Sequence, residues 1–269
     1  MRAGYVPDVM GPCSYEFGRW QEAGLLQPID VTRLKYWASI PDALKNIPGM
    51  WADQAKNLAW FVPQYWANTS ITYRRDLAPE YAAAENWNIL WDPKYKGKVA
   101  ALEGVDDTVT LTAKAMGIDP YNMTPEQWTQ VQARLRELVA NARFISTDLT
   151  SIAQGLSSGE LVAAITWSDS YAQLRAEGVD VGFMKPPSGM FTYVCGFVVH
   201  KDATDWDRIY TLMDSGLSQA AANYLAETAA NGSANGEAMK NMDPALLQSS
   251  GLTSDVNAFL ASGIFQVRL

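Results

Sequence analysis

The residues with the greatest capacity for chemistry are few. Glu103, Asp106 and Asp107 cluster between an apolar segment and a stretch that reads as a helix beginning near Thr108. Strand ends that lead into helices are where α/β folds place ligand contacts. Asp106 or Asp107 also fits as the helix cap, and a capping role does not exclude a ligand role. Acid–base catalysis would need a convergent carboxylate pair, for which the sequence offers only Asp106/Asp107 and Asp169. His200 is the only histidine, so a Ser/His/Asp set would rest on that one residue. It closes the apolar run GFVV and reads as a surface residue at a strand end. Cys13 and Cys195 sit in no CxxC-like spacing, which gives zinc and thioredoxin-type chemistry no support. A single long-range disulfide stays open on compartment grounds. The sequence contains no GxGxxG, P-loop, GxSxG or HExxH pattern, so the common nucleotide, hydrolase and metalloprotease signatures are missing. No metal site and no cofactor is expected.

Aromatic residues carry more information. Tyr15, Trp66 and Trp167 each end an apolar segment beside small polar residues, in Cys13-Ser14-Tyr15, Trp66-Ala67-Asn68-Thr69 and Trp167-Ser168-Asp169. Aromatics at strand ends with polar neighbours suit a site that stacks on a small molecule and orients it with hydrogen bonds.

The elements that must position these residues alternate between strand and helix. Leu58 to Tyr65, Lys98 to Leu102, Leu161 to Trp167, Val181 to Met184 and Gly196 to His200 are short and apolar or β-branched, and read as buried strands. The clearest helix begins at Thr124, with Pro125 at its first position and Gln127 closing a capping box. Trp128, Val131, Leu135, Leu138 and Val139 recur on it at helical spacing as a sheet-covering face. A second helix runs from about Trp206 to Leu217, and Ser218 caps a third through Glu227. The pattern is α/β throughout, without repeats.

Composition bounds the partners. In 269 residues, 48% are hydrophobic and 19% charged, the balance of a folded chain able to bury a core. A net charge of -8 repels phosphate backbones, which makes nucleic acid and anionic membrane surfaces poor partners. No apolar run approaches the roughly 20 residues of a membrane span.

Three segments carry a resemblance to a known family. Glu22-Ala23-Gly24-Leu25-Leu26-Gln27-Pro28-Ile29-Asp30 is similar to the element EGxIxxID of the periplasmic spermidine/putrescine-binding proteins. NWNILWDPKYKG, ending at Gly97, is similar to their SWxDLWxPxYKG. Ile165-Thr166-Trp167 is similar to their IW strand before a polar turn. The resemblance covers nearly the whole chain. It implies an α/β fold, the two-lobed clamshell of type II periplasmic solute-binding proteins, in which a small molecule is captured between lobes and no reaction is catalysed.

Carried over residue by residue, Tyr15 after Pro12-Cys13-Ser14 matches a cleft tyrosine and Trp167 a tryptophan that packs on the ligand. Asp107 falls near a cleft acid, and Gln266 matches a glutamine near the C-terminus. The resemblance implies that Tyr15 and Trp167 face each other across the cleft. The family's FWMD element corresponds to Phe191-Thr192-Tyr193-Val194, so its cleft tryptophan and amine-binding aspartate are replaced by Thr192 and Val194. A buried ammonium needs a carboxylate or an aromatic face. Either Asp169, Asp148 or Glu103 replaces the missing acid, or the ligand is less charged, such as an amino alcohol, a small sugar or a polar osmolyte. The expected ligand contacts are Cys13, Ser14, Tyr15, Trp66, Asn68, Thr69, Asp107, Trp167, Asp169, Thr192, Tyr193 and Gln266. With Cys13 and Cys195 both near the cleft, where a covalent tie would restrict closure, they are expected not to be bonded to each other.

Family members begin with a strand–helix–strand unit of about 30 residues or more that this chain does not carry ahead of Arg2-Ala3-Gly4-Tyr5. The chain is expected to be an incomplete reading frame without its signal peptide, with lobe 1 formed by residues 1–67 and 194–236 and lobe 2 by 68–193 and 237–269. An incomplete first lobe would favour self-association. The expected function is the periplasmic solute-binding component of an ABC importer, with permease subunits as partners and a polyamine-like or other small polar solute as ligand. The alternatives are a sensory or interaction module on the same fold and an enzyme using the cleft carboxylates.

Overall fold

The structure, a computed structural model, describes residues 6–261 and 265–267. The chain divides into two compact units, Met1–Ala67 with Thr192–Leu269, and Asn68–Phe191. It passes from one to the other twice, each time inside a long strand, Val62–Arg74 and Met190–His200.

In the first unit the strand Met190–His200 lies between two short antiparallel partners. Val9–Met10 pairs through Val9 with Val199, and Leu26–Gln27 pairs with the same stretch through Gln27. The near end of Val62–Arg74 takes Gly232–Ser233 as a partner, Gly232 facing Trp66. A separate three-stranded sheet joins Ile29–Asp30, Leu58–Ala59 and Trp51–Asp53. Phe17 stacks on Phe61 at 4.9 Å, and both are buried with Ile29, Met50, Val198 and Met213. Each such side chain contributes about 1.5–3 kcal/mol by leaving water. Gly196 holds a position that no larger residue fits, because a Cβ there would overlap the Val62 carbonyl oxygen and lie 2.8 Å from the Phe61 ring. Helices Trp206–Gly216 and Gln219–Ala229 start on side-chain caps, Asp205 accepting from Arg208 N and Ser218 from Ala221 N, as the second cap was read from sequence.

The tail corrects one expectation. Residues 237–269 were assigned to the second lobe, yet Ala238, Met239, Met242 and Val256 are buried in the first unit's core with Phe17 and Trp66. Gly236–Lys240 and Pro244–Ser250 are helices of five and seven residues, too short to show the periodicity that would have revealed which core they cover.

The second unit is built on five strands. Val62–Arg74 runs antiparallel to Ala163–Trp167 on one side and to Val181–Phe183 on the other. Val99–Leu102 follows, parallel to Ala163–Trp167, and then Phe144–Ser146, parallel to Val99–Leu102. Helix Pro125–Asn141 carries the full capping box between Thr124 and Gln127. Its buried face is narrower than its apolar spacing suggested. Val131 and Leu138 are buried, whereas Trp128 and Val139 are 38% and 57% exposed, since Val139 is turned about 100° from its neighbour Leu138. The NWNILWDPKYKG segment folds as two 3₁₀ turns, Trp87–Trp91 and Pro93–Tyr95. It is fastened to that helix by Trp91 Nε1 donating to the Arg134 carbonyl at 2.9 Å and by Asn141 Nδ2 donating to the Leu90 carbonyl at 2.8 Å.

Among the described residues no helix is long and apolar enough to cross a membrane.

Candidate functional site

Asp107 stands at the end of strand Val99–Leu102, within the π-helical turn Val105–Val109 that leads into helix Thr110–Ala115. A π-turn widens the helix by one residue and often marks a functional position. Three hydroxyls anchor this turn: Thr108 Oγ1 donates to the Leu102 carbonyl at 2.5 Å, Thr110 Oγ1 to the Asp106 carbonyl, and Thr112 Oγ1 to the Thr108 carbonyl at 2.7 Å. Gly104 gives the carboxylate room, since a Cβ there would lie 2.9 Å from Asp107 Oδ2.

Two strands deliver the donors. Thr69 and Trp167 are direct cross-strand partners, so their side chains lie on one face of the sheet. Thr69 Oγ1 donates to Asp107 Oδ1 at 2.9 Å, and Trp167 Nε1 donates to the same oxygen at 3.2 Å. Asp107 is 6% exposed and Thr69 is fully buried. The strand behind them is polar but satisfied: Thr72 and Thr166 share a hydrogen bond of 2.7 Å, and Ser70 Oγ donates to the Met184 carbonyl at 2.5 Å. A carboxylate held this way is an acceptor of fixed orientation, suited to binding N–H or O–H groups.

Asp169 begins helix Ser168–Ala176. Burial lifts its carboxyl above the ordinary aspartate range, against the pull of the Ser170 amide donating at 2.7 Å. The folded chain therefore keeps this proton at pH values where the unfolded chain has released it. Its contribution to stability is full below the ordinary aspartate pKa and declines as pH rises toward the raised value. Asp169→Asn, which cannot ionise, is expected to raise the thermal midpoint at about pH 7 and to leave it unchanged at about pH 3. Melting curves at the two pH values check this, and a lower midpoint at neutral pH would rule it out.

The first unit holds most of the remaining candidates. Cys13 and Cys195 form a disulfide, contrary to the expectation that they stay apart. The reason is local: the two residues are an isolated antiparallel bridge pair, with Ser14 N donating to the Val194 carbonyl at 2.7 Å and Gly196 N to the Pro12 carbonyl at 3.0 Å. Ser14 is buried and Tyr15 half-buried, in the turn closed by Glu16 N donating to the Cys13 carbonyl at 2.9 Å. Thr192 and Tyr193 are buried on Met190–His200, and Asn68 is buried at the start of the second unit. Trp66 is 0% exposed and packs within the first unit's core. Gln266 belongs to strand Phe265–Val267, and its side chain lies outside the described residues.

Other candidates fall away from the cluster. Asp148 caps helix Leu149–Ser158, accepting from Thr150 N at 2.9 Å and from Ser151 Oγ at 2.6 Å. Glu103 and Asp106 are on the surface side of the turn. His200 is buried rather than exposed, its Nδ1 accepting from Asp202 N at 3.3 Å. The threonines that anchor the Asp107 turn went unnoticed in the sequence, although their spacing at 108, 110 and 112 directly after two aspartates was a visible signal.

Comparison with known proteins adds three findings. A family model described as bacterial extracellular solute-binding protein matches residues 1–248. The spermidine/putrescine-binding periplasmic protein of Escherichia coli strain K12 is 21% identical over 248 residues, which cover 92% of this chain and 69% of that protein. Solved structures that share the fold include two binding proteins. The spermidine/putrescine substrate-binding protein PotD of Streptococcus pneumoniae, in complex with calcium and HEPES, matches with a TM-score of 0.75 at 17% identity, over 98% of this chain and 82% of that one. The binding protein MotA of A. tumefaciens B6, in complex with glucopine, matches with a TM-score of 0.76 at 18% identity, over 100% and 79%.

Proposed function

This chain belongs to the family of bacterial extracellular solute-binding proteins, and from that premise we propose that it captures a small polar solute outside the cytoplasm for an ABC importer. The periplasm is its proposed compartment and the importer's permease subunits its proposed partners. Asp107, Thr69 and Trp167 are the proposed contacts on the second unit, with Asn68 and Asp169 beside them in sequence. Ser14, Tyr15, Thr192 and Tyr193 are the proposed contacts on the first.

The observation that carries this reading is the Asp107 carboxylate, buried at a strand end and oriented by the Thr69 hydroxyl and the Trp167 indole N–H. An acceptor built in advance suits an amine or a hydroxyl of the solute, because orientation is established before binding and costs nothing when the solute arrives. Where the polyamine-binding pattern has an aspartate and a tryptophan, this chain has Val194 and Thr192, both buried. Fewer charges favour a solute with one ammonium or with hydroxyl groups over a long polycation, since each unpaired buried ammonium is expensive.

A thermal-shift and calorimetric screen of spermidine, putrescine, glycine betaine, amino acids and sugars tests the proposal. One solute is expected to bind. Asp107→Ala should weaken that binding by roughly 10- to 100-fold, the effect of losing a charge-assisted hydrogen bond. A screen without a single binder, or an Asp107→Ala protein that binds as tightly as the parent, would sink the proposal.

A further inference from the structure

We propose that Gly104 is a positioning residue for solute binding: it lets the Asp107 carboxylate take the one rotation in which Thr69 and Trp167 both hold it, so that a methyl group at 104 weakens binding while the fold stays as stable.

Nothing in the backbone asks for glycine at this position. Gly104 has φ −62° and ψ 128°, an extended conformation open to every residue. What a side chain would meet there is a single carboxylate. The three atoms nearest the point where a Cβ would stand all belong to Asp107, with Oδ2 at 2.9 Å, Cγ at 3.8 Å and Cβ at 3.9 Å. Non-bonded carbons pack at about 3.5–4.0 Å and oxygen only slightly closer, so a methyl at 104 and Oδ2 cannot both stay in place.

The methyl is the partner that does not yield. A Cβ is fixed by its own backbone, and the Gly104 carbonyl is tied into the turn, accepting from Asp107 N at 3.2 Å and from Thr108 N at 3.0 Å. The hydroxyls of Thr108, Thr110 and Thr112 brace the same turn. The carboxylate must therefore rotate. Its other oxygen, Oδ1, lies where two donors converge, the Thr69 hydroxyl at 2.9 Å and the Trp167 indole N–H at 3.2 Å. The second distance is already at the outer end of the range for such a bond, so there is little room for movement. A rotation takes Oδ1 off the point that both donors reach. The acid is still present, but its orientation is lost and must be restored when the solute binds, which lowers affinity. Stability is kept, because alanine in place of glycine at compatible dihedrals removes freedom from the unfolded chain and offsets the tight contact.

The inference rests on the solute-binding reading, and the experiment tells the two apart. The probes are the same spermidine, putrescine, glycine betaine, amino acids and sugars, titrated first into the parent chain. If none binds the parent, the functional reading fails and the inference with it. If one binds the parent and binds Gly104→Ala equally well, the inference alone fails. Gly104→Ala is expected to lose about tenfold in affinity, the scale of one charge-assisted hydrogen bond. Its thermal midpoint should stay within about 5 °C of the parent's.

Asp107→Ala separates positioning from general damage. With no carboxylate left to turn, adding Gly104→Ala to that variant should change affinity by less than about twofold. A further readout needs no solute. The indole N–H resonance of Trp167, assigned by its loss in Trp167→Phe, should move upfield in Gly104→Ala as its bond to Asp107 lengthens. Additive losses in the double variant or an unmoved indole resonance would each overturn the inference. So would a midpoint lower by more than about 5 °C, which would show that the glycine serves the fold.

Discussion

Without the Cys13–Cys195 bond the protein is expected to lose roughly 2–5 kcal/mol of stability. The cysteines are 182 residues apart in sequence, so the bond closes a very long loop. Loop closure of that length removes conformational entropy from the unfolded chain worth roughly 5 kcal/mol at room temperature, at the upper end of the usual range. Both cysteines lie in the first unit, so the loss should fall on the unfolding of that unit. For a chain of this size the midpoint should drop by roughly 5–15 °C on reduction. Calorimetric scans of the oxidised protein and of the Cys13→Ser/Cys195→Ala double variant decide the matter. Midpoints within two or three degrees of each other, about 1 kcal/mol in these terms, would show that the bond adds nothing.

Trp66→Ala should cost about 3–5 kcal/mol, the range for deleting a large aromatic from a core. The indole is fully buried among first-unit residues that include Phe17 and Phe61. On the opposite side it is covered by Gly232, whose missing side chain leaves the ring the space it fills. Truncation therefore removes the ring's contacts and leaves a cavity that the surrounding strands cannot close, because Gly232 is their paired partner at that point. Urea denaturation of the variant measures the loss directly. A cost below about 1 kcal/mol would show that the ring is not packed in this core.

What could be read in the sequence followed the strength of local signals. The capping box at Thr124 and Gln127 is written in four residues, and the structure contains it as read. The α/β alternation was visible because the strands are apolar and the intervening helices periodic. The strand Val62–Arg74 was foreshortened, since its second half, Asn68 to Thr72, is largely polar and looks like a loop. Those hydroxyls are buried because each finds a partner across the sheet or in the Asp107 turn, a condition that no single segment reveals. Asp107 was legible as one of three acids following an apolar segment and Trp167 as a strand-end aromatic, with the resemblance adding to both, and Thr69 through its neighbours. That all three meet at one oxygen depends on the register between two strands about a hundred residues apart. The disulfide was missed for a similar reason. Cys13 and Cys195 face each other only because the Pro12–Ser14 segment lies along a strand from the far end of the chain.

The fit of Gly232 against Trp66 also bears on how this protein can change over generations. A Cβ at position 232 would overlap the indole and stand 2.6 Å from its Nε1, so the two positions are inherited as a pair. A lineage cannot gain a side chain at 232 while it keeps the tryptophan, and a lineage that loses the tryptophan first must survive the cavity. The passable route gives up ring volume at 66 in small steps before position 232 is free to grow. Among related sequences the volumes at these two positions should rise and fall in opposition.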